Sequence, residues 1–231
     1  MSNISIEERV FQFRRFMPEA MRSFGFSECN GSFSYETPIM DGIFTVSVTV
    51  TNGTLKGTVL DSQSGEEYIL LKVRSADGNY VTKVREEYEK VLNEIAVKCC
   101  RQVLFASDQG NRIAGLISDR YHVEPDFPWS DEKYRSAAVF RHHDNNKWFG
   151  LLMNIKRNSL LKDGSDVHAD VMNLKASPDD MVHLTAINGI YPAYHMNHKY
   201  WISVILDDRL DDETVMKLIN DSFLLTQKKT K

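Results

Sequence analysis

Two short runs of this sequence gather most of the side chains that could do chemistry. Arg141-His142-His143-Asp144-Asn145-Asn146-Lys147 separates two apolar stretches, and Lys156 and Arg157 follow the second of them. His195, Asn197, His198 and Lys199 make up the other run. Guanidinium and ammonium groups neutralise phosphates, while Asn and His side chains reach base edges or sugars. Arg141, His143, Lys147, Lys156, Arg157, His195, Asn197, His198 and Lys199 are therefore the candidate nucleic-acid-binding residues. Trp148 and Trp201 adjoin the two runs and offer rings on which an unpaired base could stack. The plainer explanation is that turns are polar because water reaches them, and that tryptophans fill cores.

All seven histidines (His122, His142, His143, His168, His183, His195, His198) fall in the second half, so the two runs would concentrate imidazole if they converged. Imidazole beside Asp144 suits zinc or iron, but His-x-x-His on a turn is no metal signature and nothing fixes a third ligand. Solvated turn histidines explain the pattern, and neither a metal nor another cofactor is implied. No G-x-S-x-G elbow, phosphate-binding glycine loop or H-E-x-x-H helix is present. Tyr194, His195 and Lys199 could supply an acid, a base and a phosphate contact, yet no nucleophile or orienting partner stands beside them. No catalytic residue is assigned, and enzymatic activity is not expected.

Hydrophobic residues make up 42% of the 231 and charged residues 26%, the profile of a globular chain with a substantial core. No apolar run approaches the roughly 18 residues that a membrane span needs, so a cytoplasmic protein with no membrane partner is expected. Cys29, Cys99 and Cys100 form no C-x-x-C pair. The net charge is −4, with 12 basic against 14 acidic residues in 1–106 and 16 against 18 in 107–231. That balance offers no general attraction to a polyanion, so any such binding must be local.

Hydrophobic periodicity divides the chain into two similar halves. Residues 4–24 read as one amphipathic helix through Val10, Phe13, Met17, Met21 and Phe24. Strands follow at 32–35, 44–50, 55–60 and 67–73, with Asn52-Gly53 as a hairpin turn and a loop at Asp77-Gly78-Asn79. A long helix then carries Tyr80, Val84, Tyr88, Val91, Ile95, Cys99 and Val103 on one stripe. The polar break at Ser107-Asp108-Gln109-Gly110 places a boundary between domains 1–106 and 107–231, with Asp108 as the helix cap. Beyond it come a helix to Tyr121 and strands at 138–141, 148–155 and 167–174, the second with Phe149, Leu151, Met153 and Ile155 on one face. Next are a helix opened by Ser177-Pro178, a strand over 200–206, a final helix from Asp211 and a basic tail over 227–231. The expected class is α+β, two domains each built of a helix, antiparallel strands and a helix.

Three blocks of the second half resemble the MmcQ/YjbR family: AVFRHHDNNKWFGLLMNI from Ala138, VMNLKASPDD from Val171 and YPAYHMNHKYWISVILD from Tyr191. EPDFPW from Glu124 is a looser fourth. The resemblance covers roughly residues 108 to 226 and leaves 1–106 unrecognised. It implies a CyaY-like, double-wing domain in which helices pack on one face of an antiparallel sheet and hairpins project as wings. Through that fold analogy it also implies DNA as the partner. The alternative is a protein-interaction module without nucleic-acid activity, engaging a partner protein or a second copy through residues 1–106.

Overall fold

The computed structural model describes residues 5–73, 76, 78–131 and 134–228. Asp77 of the expected loop and residues 229–231 of the expected tail lie outside them. The chain forms two compact units, Met1–Val103 and Leu104–Lys231. No helix among the described residues is long and apolar enough to cross a membrane.

The first unit contains α1 (Ile6–Phe11), β1 (Arg14–Phe16), α2 (Pro18–Phe24), β2 (Ser27–Cys29), β3 (Ser32–Ile39), β4 (Phe44–Thr51), β5 (Thr54–Asp61), α3 (Asn79–Cys99) and β6 (Cys100–Gln102). Strands β2-β3-β4-β5 form an antiparallel meander, and β1 pairs with β6. The strict alternation of β4 buries Phe44, Val46, Val48 and Val50 in one core with Val84, Tyr88, Leu92 and Ile95 of α3. At the β4–β5 turn, Asn52 and Gly53 both take positive φ, as a two-residue hairpin of the primed type demands.

Three expectations for this unit are corrected. The helix over 4–24 is broken, because Pro18 cannot donate a backbone hydrogen bond and drives Met17 into an extended conformation (φ −110°, ψ 112°). The strand over 67–73 does not form. Glu67 makes a single bridge to Leu60, and Ile69–Leu71 turns as a 3₁₀ helix that carries Tyr68 and Leu71 onto the core at a spacing of three. The fourth strand of the meander is β2 instead. Finally, α3 stops at Cys99, and Val103 lies beyond the strand that follows it.

The second unit contains α4 (Asp108–Tyr121), β7 (Ala138–Arg141), β8 (Trp148–Lys156), α5 (Asn158–Leu161), β9 (His168–Lys175), α6 (Met181–Thr185), β10 (Ile190–Pro192), β11 (Trp201–Ile205) and α7 (Asp212–Thr226). Its five strands are antiparallel in the order β10-β11-β9-β8-β7. Helices α4 and α7 pack on one face, where Ile113, Ile117, Val215 and Ile219 meet Phe140, Leu152, Met172, Leu174, Ile202 and Val204. Strand β11 has the expected parity, with Ile205 turned to the opposite, outer face. In β8 the parity is corrected. A bulge sets both Trp148 and Phe149 against Arg141, so Phe149 shares the inner core with Leu152 while Leu151, Met153 and Ile155 lie on the outer face.

The cap of α4 is also reassigned, from Asp108 to Ser107. Ser107 Oγ accepts from the Gly110 N–H at 2.9 Å and donates to the Asp170 carboxylate at 2.8 Å. Asp170, on β9, is buried, and it also accepts from the Ser107 N–H at 2.7 Å and from Asn154 Nδ2 at 2.7 Å. Replacing Asp170 by alanine strands those donors in the interior. The expected loss, read from the urea unfolding midpoint of the full chain, is about 2–4 kcal/mol. An unchanged midpoint would mean that the three hydrogen bonds contribute nothing net.

Candidate nucleic-acid interface

Strand order decides which candidate residues can act together. The start of β8, the end of β9 and the start of β11 lie side by side, through the pairs Gly150↔Leu174 and Lys175↔Trp201. Both candidate turns are therefore at one end of the sheet, but β9 stands between their hairpins, so β8 and β11 are about 10 Å apart. Lys156 pairs with His168 at the opposite end, about 30 Å along the strand from Lys147. Seven of the nine candidates share the turn end; Lys156 and Arg157 do not. Those two are also ion-paired, Lys156 to Asp166 at 2.8 Å and Arg157 to Asp163 at 2.8 Å.

The first turn is tied to the helices behind it. His142 is buried, with its ring against Phe223 (4.2 Å between centroids) and Phe149 (5.3 Å) and its Nε2 at 2.8 Å from Thr226 Oγ1. Burial holds its pKa below the usual imidazole value. Asn145 donates to the Thr226 carbonyl and accepts from the Lys147 N–H, while exposed His143 donates from Nε2 to the His122 carbonyl at 2.9 Å. Arg141 is paired with Asp126 at 2.9 Å, and its guanidinium lies 5.4 Å from the Trp148 ring centre. Lys147 is exposed and forms no ion pair among the described residues.

The second turn is pinned to the outer face of the sheet. Ser203 Oγ accepts from the Tyr194 N–H at 2.8 Å and donates to Asn173 Oδ1 at 2.5 Å, and Asn173 Nδ2 donates back to the Tyr194 carbonyl at 2.8 Å. Asn173 and Ser203 are fully buried. The next residue, His195, takes the left-handed conformation (φ 55°), a costly backbone state for a residue with a Cβ. Asn197 shapes the turn: its Oδ1 accepts from the Lys199 N–H, and its carbonyl accepts from Tyr200 and Trp201. His195, His198 and Lys199 are left facing solvent. Among the described residues no three His, Cys, Asp or Glu side chains are placed to hold a metal ion, and His142 is enclosed beneath α7.

Lys175 and Tyr200 complete the turn end and were not among the candidates. Lys175 ends the central strand between the two hairpins, with its Nζ 5.7 Å from the Trp201 ring centre and 5.8 Å from that of Tyr200. Lys199 lies 5.5 Å from the Tyr200 ring. The signal for Lys175 was its parity, since it alternates with the apolar Met172 and Leu174 and so must face outward.

Comparison with known proteins follows the same half of the chain. A family model described as YjbR matches residues 118–225. The uncharacterized protein YyaQ of Bacillus subtilis (strain 168) is 38% identical over 111 residues, which span 48% of this chain and 92% of that protein. The uncharacterized protein YbdF of Escherichia coli O157:H7 is 38% identical over 55 residues, 23% of this chain and 45% of that protein. A crystal structure of a Pseudomonas syringae protein is 40% identical, with a TM-score of 0.47, over 50% of this chain and 97% of that one.

The burial of His142 gives a pH dependence of definite sign. The unfolded chain takes up this proton near pH 6.5, the folded chain only at lower pH. Its contribution is fully present above about pH 6.5, falls as the pH drops below that value and levels off beneath the folded pKa. Unfolding titrations of the native chain and His142→Asn between about pH 7 and 5 should show a shallower fall in the variant; parallel curves would contradict the assignment.

Proposed function

The chain belongs to the YjbR family, and from that premise we propose that its C-terminal unit binds nucleic acid through the turn end of its sheet. One observation carries the reading. Lys147, Lys175 and Lys199 stand at the same end of β8, β9 and β11, and none of them makes an ion pair among the described residues. The other basic candidates, Arg141, Lys156 and Arg157, are each held by a carboxylate. His195 and His198 add exposed imidazoles at this end, and Asn197 adds its amide.

The net charge of −4 does not oppose this arrangement. At physiological ionic strength, screening acts over about 8 Å, so a phosphate at the turn end responds to the lysines beside it rather than to carboxylates at the far end of the sheet. Binding of this kind is weak, local and sensitive to salt.

The test is fluorescence anisotropy of labelled DNA with the full chain across a salt series. Each phosphate neutralised on duplex contributes about −0.9 to the log–log slope. Replacing Lys147, Lys175 and Lys199 together with alanine should flatten the slope by about two units or more, and Lys156→Ala with Arg157→Ala should leave it as it is. An unchanged slope in the triple variant, or one altered by the double variant alone, would overturn the placement. No binding at low salt would overturn the function.

A further inference from the structure

The outer face of the C-terminal sheet, opposite the one that carries α4 and α7, has an ordered row at its turn end. Arg141 of β7 is paired with Trp148 of β8, and Lys175 of β9 with Trp201 of β11. Because Gly150 pairs with Leu174, the start of β8, which carries Trp148, lies at the end of β9, which carries Lys175. Four adjacent strands therefore present cation, aromatic, cation, aromatic in sequence. Strands β8 and β11, which carry the two tryptophans, are about 10 Å apart, and Tyr200 immediately precedes Trp201. Trp129 meets Trp148 edge-on (85°, 6.0 Å between centroids), which fixes the orientation of that ring.

The rings are neither filled in nor free. Trp148 and Trp201 are partly exposed, and Tyr200 is 37% exposed. The ammonium groups of Lys175 and Lys199 lie over the Trp201 and Tyr200 rings at 5.5–5.8 Å from the ring centres, and the Arg141 guanidinium lies over Trp148 at 5.4 Å, all near the outer limit of cation–π attraction, where an incoming base can displace them. The Asn173–Ser203–Tyr194 hydrogen bonds hold the adjoining loop against the sheet in the next row.

Resting on the nucleic-acid reading above, we infer that this row is a stacking platform for the unpaired bases of single-stranded nucleic acid. Trp201 and Tyr200 take base faces, Trp148 takes a neighbouring base, and Lys175 and Lys199 meet the flanking phosphates. Flat rings on a sheet gain nothing from bases already stacked inside a duplex. The two long helices of this unit, α4 and α7, lie on the opposite face and so present no groove-reading helix here. Stacking on aromatic side chains accepts any base, so the platform discriminates strandedness rather than sequence.

The experiment uses the full chain with labelled oligothymidylate, oligouridylate and a duplex of equal length. The single strand should bind more tightly than the duplex and should quench tryptophan emission. Trp201→Ala should weaken it about 5- to 100-fold with the salt slope intact, and Trp201→Phe, which keeps a ring, should recover most of the loss. Whether the deoxy or the ribo strand binds better identifies the natural source of the bases, and either outcome supports the platform. Equal or tighter duplex binding, or single-strand binding that neither quenches emission nor responds to Trp201→Ala, overturns the platform and leaves the broader function standing. Absence of binding by all three probes overturns both.

Discussion

A buried carboxylate sets the geometry of the C-terminal unit. An ionised group removed from water is costly unless its oxygens are satisfied, and Asp170 meets that condition with the Ser107 N–H, the Ser107 hydroxyl and the Asn154 amide. The Asp170 carbonyl also accepts from the Leu206 N–H. One residue on the central strand thereby joins the start of α4, the neighbouring strand β8 and the chain leaving β11. Ser107 is shared between this network and the first turn of α4, where Gly110 leaves room that a Cβ, at 3.1 Å from Asp170 Oδ2, would narrow. With α4 seated, the inner core closes and the register of β9 is fixed. Lys175 lies five residues further along that strand, so its position between the two hairpins follows from the same anchor.

The turn end is a second consequence of polar satisfaction. Asn173 and Ser203 face outward from the sheet yet are fully buried, because the backbone of Tyr194 folds down onto them and completes their hydrogen bonds. That closure holds His195 in its left-handed state and leaves the side chains beyond it in solvent. A freely projecting loop would have to order itself on binding, at an entropic cost that this one has largely met on folding. The division of the basic residues is equally physical. Arg141, Lys156 and Arg157 are paired with carboxylates, whereas Lys175 and Lys199 lie against aromatic rings.

Much of the local architecture was legible because local rules dictate it. The alternation of β4 and β11, the Asn52-Gly53 turn, the cap at Ser177 and the start of the last helix near Asp211 follow from spacing and residue type alone. The errors arose where one residue outweighs a periodic pattern. Pro18 breaks a helix whose apolar spacing continues through it, and the bulge at Trp148 and Phe149 reverses the parity of β8. The candidate site was only half legible for a different reason. Hairpins are local, but strand order is not, and nothing in the runs at 141–147 and 195–199 reveals that β9 lies between them or that Lys156 and Arg157 end on the far side of the sheet. Asp170 makes contacts distant in sequence, where periodicity has no reach, and Lys175, whose outward parity was legible, comes to lie between the two hairpins only through strand order.

The most direct measurement is an amide chemical-shift titration of the isotopically labelled full chain with a short single-stranded oligonucleotide. The account predicts that perturbed resonances cluster at residues 143–148, at 175 and at 195–201, with the indole N–H signals of Trp148 and Trp201 among the largest. Shifts confined to the segment around Lys156, Arg157 and Asp166, or to residues 1–103, would contradict it.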